Sequence, residues 1–152
     1  MKVFLCAGMT LLLLLACSKQ LTVEQQVIAT LRNMEVAAEA GEHLEFIGYV
    51  AVTFTAQHGS MARRDFHRFM IYQINQHRRQ RAQFFPIYVT DLGNDQAAAQ
   101  FQLLVTGGAG LLPESGQLYE VQTRWIRDGS EWMLEGAEWE PVYLPDIPRP
   151  SG

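Results

Sequence analysis

Few side chains in this 152-residue sequence stand at spacings that do chemistry, and those few set narrow limits. His43, His58, His67 and His77 lack the i, i+4 pair plus third ligand of a helical zinc site, so no metal is expected. Ser60, Ser115 and Ser130 all sit in turn sequence without a nucleophile elbow. Thr106-Gly107-Gly108-Ala109-Gly110 has the glycines of a phosphate loop, but Leu111-Leu112-Pro113 follows where a helix N-terminus and a lysine would be needed. It reads as a hairpin connection, and no cofactor is expected. Asp91 and Asp95 belong to a turn, and Asp65 lies among arginines, where ion pairing accounts for it. The best internal acid is Glu138 beside Trp139, although a strand-surface pair with Arg124 is the plainer reading.

Charge is distributed unevenly. The formal net charge is −4, yet residues 61–82 hold six arginines, Arg63, Arg64, Arg68, Arg78, Arg79 and Arg81, against the single acid Asp65. Guanidinium suits bidentate contact with phosphate or carboxylate, so this surface is a candidate for anionic lipid, lipopolysaccharide phosphate or an acidic envelope partner. The alternative pairs it with the chain's own Glu35, Glu39, Glu42 and Glu45. An acidic chain is not expected to bind nucleic acid.

Both cysteines, Cys6 and Cys17, fall in the first seventeen residues. Met1-Lys2 is a short basic region, and the apolar run that follows is too short to span a bilayer, which takes ~20 residues. Leu14-Leu15-Ala16-Cys17 resembles the lipobox of bacterial lipoproteins. That resemblance implies a signal peptide over 1–16, acylation of Cys17 and a thiol-free mature chain. No disulfide, thiol catalysis or cysteine-bound metal is then available. Ser18 is not the aspartate that retains some lipoproteins at the inner membrane. The expected address is therefore the outer membrane facing the periplasm, with residues 17–21 as a short tether.

The elements that must position the remaining residues come helices first. Thr22-Val23-Glu24-Gln25 is a capping box, and Val27, Leu31, Met34 and Ala38 recur at helical spacing up to Gly41. A short helix over 42–49 leads into a β-branched run over 50–55. Ser60 is placed to cap a third helix, whose Phe66, Phe69, Met70, Gln73 and Ile74 share the face opposite the arginines. From Phe84 the period changes to two: four strands follow, with Asp128-Gly129 as the last tight turn and Gly136 as a candidate bulge. Prolines over 141–150 leave a tail from 143 to 152.

Helix, helix, strand, helix and an antiparallel meander make an α+β layout. With Leu104-Val105-Thr106-Gly107-Gly108, Gln117-Leu118-Tyr119-Glu120-Val121, Glu131-Trp132-Met133-Leu134 and Ala137-Glu138-Trp139-Glu140-Pro141, the span 22–142 resembles the nuclear transport factor 2-like (SnoaL-like, ketosteroid isomerase-like) superfamily, notably uncharacterised proteobacterial members. The resemblance implies a cone of helices on a curved sheet, and a homodimer through that sheet. It also implies a pocket, for which Tyr88, Phe101, Tyr119, Trp125, Trp132, Glu138 and Trp139 are the candidates. Where catalytic relatives carry a carboxylate near the second helix, this chain has Tyr49-Val50-Ala51-Val52-Thr53-Phe54. The expectation is a lipid-anchored, non-catalytic binding or interaction module, with a small-molecule isomerase or dehydratase as the alternative.

Overall fold

Residues 20–76, 81–107 and 115–143 are described in a computed structural model, and Cys17, His77, Arg78, Arg79 and the tail beyond Tyr143 lie outside them. Helix α1 (Val23–Ala40) starts at the predicted capping box, in which Thr22 accepts from the Gln25 amide and the Gln25 side chain accepts from that of Thr22. It ends at Gly41, whose φ of 77° is the left-handed conformation a glycine adopts freely. Its stripe of Val27, Leu31, Met34 and Ala37 is buried.

Helix α2 (His43–Gly48) turns the chain into strand β1 (Val50–Ala56), a short β2 (Met61–Ala62) and helix α3 (Arg63–Gln76). Ser60 was expected to cap α3, but Met61 and Ala62 pair with Ala56 and Thr55 instead, and α3 begins after them. Arg63, in the first turn, reaches back: its Nε and Nη2 donate to the carbonyls of Val50 (2.9 Å) and Ile47 (2.8 Å). Its guanidinium thus satisfies the end of α2 and the start of β1, and is removed from the arginine face assigned to it.

Strands β3 (Arg81–Gly93), β4 (Gln96–Gly107), β5 (Ser115–Asp128) and β6 (Glu131–Pro141) form the expected antiparallel meander. The six strands run β2-β1-β6-β5-β4-β3, and β1 joins β6 in parallel. The last hairpin turns at Gly129-Ser130 rather than Asp128-Gly129. Trp125 therefore faces Leu134 and Arg127 faces Trp132, two residues from the expected register. An even shift leaves every side chain on its face, which is why the apolar faces still agree. Between Arg124 and Trp125 the pairing with β6 slips, leaving Glu135 as an extra residue beside Gly136. The Arg124 guanidinium lies over Gly136 in the space a Cβ would take, so a larger residue there would push that side chain aside.

Two polar clusters tie the helices down. At one end of the sheet, Gln26 Oε1 accepts from Trp132 Nε1 (3.0 Å) and Arg127 Nη2 (3.4 Å), while its Nε2 donates to the Leu21 carbonyl (2.7 Å). The Arg127 amide donates to Asp95 in the β3–β4 turn at 2.9 Å, so the first turn of α1 and both hairpin turns meet there. This is the narrow end. The other cluster links α2 and α3, where His43 Nδ1 and His67 Nε2 stand 3.2 Å apart and share one hydrogen bond.

Gln26→Ala leaves the indole N–H of Trp132, 3% exposed, without its acceptor. The expected loss is about 1–3 kcal/mol in urea unfolding. Adding Trp132→Phe to Gln26→Leu should cost less than the two single changes combined, which a double-mutant cycle measures. Burial first, then His43 and Arg63, hold His67 below its ordinary pKa. Between that lowered value and about 6.5, the unfolded chain binds the proton and the folded chain does not. The stability contributed is complete above the unfolded value and is lost as pH falls through the folded one. Unfolding midpoints should therefore fall from pH 7.5 to pH 5, with a shallower fall in His67→Gln.

Candidate functional site

The inner face of the sheet carries two regions. Toward the narrow end it is solid: Val27, Val50, Phe54, Ala97, Trp125 and Trp132 are all buried. Trp125, 1% exposed, donates to the Thr123 hydroxyl (2.8 Å), which donates to the Ala99 carbonyl (3.1 Å), so the buried indole N–H is satisfied and Thr123 forms the cavity floor. Toward the other end the helices and sheet separate around a cavity of about 990 Å³, within the size range of small-molecule sites.

Its walls come from three sources. Helix α1 supplies Leu31, Met34, Glu35 and Ala38; α3 supplies Phe66, Phe69, Met70, Gln73 and Ile74; strands β3 to β6 supply Phe84, Phe101, Leu103, Val105, Gln117, Tyr119, Val121 and Trp139. Aromatic packing shapes the side between α3 and β6, where Phe69 stacks on Trp139 at 5.7 Å and Phe66 packs on Phe54 at 4.6 Å. Phe84 meets Phe101 edge-on at 5.2 Å on the side nearer α1. The lining residues open to solvent are Glu39, Ala40, Gly41, Asn75, Arg81 and Gly116. These lie at the C-terminal ends of α1 and α3 and the starts of β3 and β5, so the mouth is at the wide end.

The seven candidate pocket residues separate. Phe101, Tyr119 and Trp139 line the cavity. Trp125 and Trp132 face inward but belong to the narrow end, beyond its floor. Tyr88 is 67% exposed on the outer face of β3, so it is not a lining residue. Glu138 is outside too: both its oxygens accept from the His58 amide (3.1 and 3.0 Å), and His58 Nδ1 lies 3.4 Å away. The expected partner Arg124 instead lies over Gly136 and reaches the Thr55 hydroxyl at 3.5 Å.

Of the arginines, Arg64 and Arg68 lie 3.8 and 3.3 Å from Asp65, so they share one carboxylate on α3 itself, which offsets one of their two charges, and neither pairs with the acids of α1. Arg81 stands at the cavity mouth, away from that pair. Two lining acids were not among the pocket candidates: Glu39, exposed at the mouth, and the more buried Glu35. Glu35 forms an ion pair with Arg32 at 2.8 Å, and the Arg32 guanidinium sits 5.9 Å from the Phe84 ring. Its place four residues after Leu31, on the same side of α1, was the available signal. Among the described residues, no three of His, Cys, Asp and Glu converge, and no helix is long and apolar enough to cross a membrane.

No family model matches the chain. None of the curated proteins matches it in sequence either. Solved structures do match in shape. A proposed dehydratase of the nuclear transport factor 2-like family from Streptomyces avermitilis superposes with a TM-score of 0.69 at 17% identity, over 80% of this chain and 96% of its own. The association domain of C. elegans CaMKII gives 0.64 at 13% identity, over 76% and 93%. Bdellovibrio bacteriovorus Bd1075 gives 0.66 at 11% identity over 78% of this chain, which spans only 41% of that protein. Three helices on a curved, unclosed six-stranded sheet with a cavity at the wide end are thus the nuclear transport factor 2-like cone fold.

Proposed function

We propose that this protein is a lipid-anchored, non-catalytic module of the cell envelope that holds an apolar small molecule in its cone. The observation that carries the ligand half of this reading is the cavity itself, about 990 Å³ and walled by Leu31, Met34, Phe66, Phe101, Val121 and Trp139. Open apolar walls of that extent favour an apolar occupant, since each Å² removed from water contributes roughly 25 cal/mol. The lipobox-like Leu14-Leu15-Ala16-Cys17 supports the anchor.

The non-catalytic half rests on what lines the interior. Proton transfer needs a carboxylate or imidazole within hydrogen-bond reach of the substrate. Among the described residues, the lining carboxylates are Glu35 and Glu39, both on α1, and none lies on the sheet. The isomerase or dehydratase alternative, which needs a tyrosine with a buried acid, is favoured by Tyr119 and the half-buried Glu35 in the same lining.

A homodimer through the sheet is part of the proposal. Tyr88 and Phe85, 67% and 43% exposed, stand on the outer face beside Gln100 and Gln102, giving two aromatic anchors in a hydrogen-bonding field. The CaMKII association domain, a fold neighbour, supports association only by analogy.

Protein purified from membranes should show a bound apolar species by native mass spectrometry, and should take up the neutral probe N-phenyl-1-naphthylamine. Val105→Trp fills the upper cavity and should weaken probe binding tenfold or more, whereas Leu104→Trp on the opposite face should leave it unchanged. Equal binding by both variants overturns the cavity reading. Glu35→Gln should retain the probe. In sedimentation, Tyr88→Lys should shift the protein toward monomer, and a wild-type monomer rules the dimer out.

A further inference from the structure

We infer that the cavity opens away from the bilayer that carries the anchor, so that its ligand exchanges with the aqueous compartment rather than with the host membrane. The inference rests on acylation at Cys17 and concerns which end of the cone that anchor can hold down.

The chain leaves the domain at the narrow end. Leu21 is fixed there because its carbonyl accepts from Gln26 Nε2 at 2.7 Å, and Gln26 is itself held by Trp132 and Arg127 of the β5–β6 hairpin. The free tether therefore runs only from residue 17 to 21. Fully extended, those four steps reach about 14 Å. The mouth lies at the opposite end of α1, where Ala40 and Gly41 are exposed at the cavity edge with Asn75, Arg81 and Gly116. An 18-residue helix is about 27 Å long. Turning the mouth onto the membrane would require Leu21 to stand at least that far above it, roughly twice what the tether spans.

Charge does not set this orientation; the tether does. The turns at the narrow end carry Asp91, Asp95 and Asp128, which anionic headgroups repel, and Arg81 stands at the mouth, so the short reach from residue 17 to Leu21 has to hold the narrow end down against charge. On α3, Arg64 and Arg68 share the single Asp65 and Arg63 is turned inward onto carbonyls, so the positive charge left on that helix can lean the domain onto its side without bringing the mouth to the surface. The cone stands on its narrow end, or leans, with the mouth presented to the compartment. An apolar ligand at such a mouth must arrive from solution or be handed over by a second protein that faces the wide end.

Photocrosslinking in the full-length chain tests this. p-Benzoylphenylalanine replaces Leu21 in one variant and Asn75 in another, and membranes from the expressing bacterium are irradiated and analysed for lipid adducts. The expected result is at least tenfold more phospholipid adduct at position 21 than at 75. Comparable adducts at both positions, in protein whose intact mass carries the acyl chains, overturn the orientation alone. An intact mass without acyl chains overturns the anchoring reading, and the inference with it.

Discussion

The cavity exists because the sheet is longer than the helices laid on it. Strands β3 to β6 run 11 to 14 residues, or about 36–46 Å at the rise of an extended chain. Helix α1 covers about 27 Å and α3, with 14 residues, about 21 Å. A flat sheet of that length would leave apolar rows in water. Curling brings the far ends of the strands over the helices, and the extra residue at Glu135 beside Gly136 is placed where β6 must bend. Where α1 and α3 still fall short of the curved wall, space remains.

The same bend explains what could be read from residues and what could not. Alternation in β4 places Ala97, Ala99, Phe101, Leu103 and Val105 on one face, and the structure puts them there, because no irregularity interrupts that strand. In β6 the bulge resets the alternation. Counted from Trp132 and Leu134 without it, Glu138 would point inward; with it, Ala137 and Trp139 do, and Glu138 turns out to meet His58. β3 repeats the lesson, since the register slip between Phe85 and Tyr88 turns Ile87 inward and Tyr88 outward. A bulge is one residue of sequence, but it reverses the face of every residue after it.

Depth along a strand is a second quantity that alternation does not encode. Trp125 and Trp132 share the inward face with Phe101 and Trp139, yet they fill the narrow end and touch no cavity. Their height is set by which elements meet above them, and those contacts are long-range: Gln26 lies 106 residues from Trp132, and β1 pairs in parallel with a strand some eighty residues later. Arg63 fails by the same logic. Its helical angle groups it with Arg64 and Arg68, but being in the first turn of α3 lets it reach carbonyls that the helical wheel does not contain.

The two ends of the cone are built on opposite principles. At the narrow end hydrogen bonds cross between layers, from Gln26 on α1 to Trp132 and Arg127 on the sheet, and others, Trp125 to Thr123 and Thr123 to Ala99, fix side chains within the sheet. Separating the layers would strand the indole N–H of the buried Trp132 without its acceptor. At the wide end the walls meet mainly through apolar contact, which is not directional and tolerates a change of spacing at lower cost. A fold that must stay closed at one end and admit a ligand at the other gains from that division. It also gives the molecule a fixed base, because the residue where the chain enters, Leu21, is bonded into the rigid end.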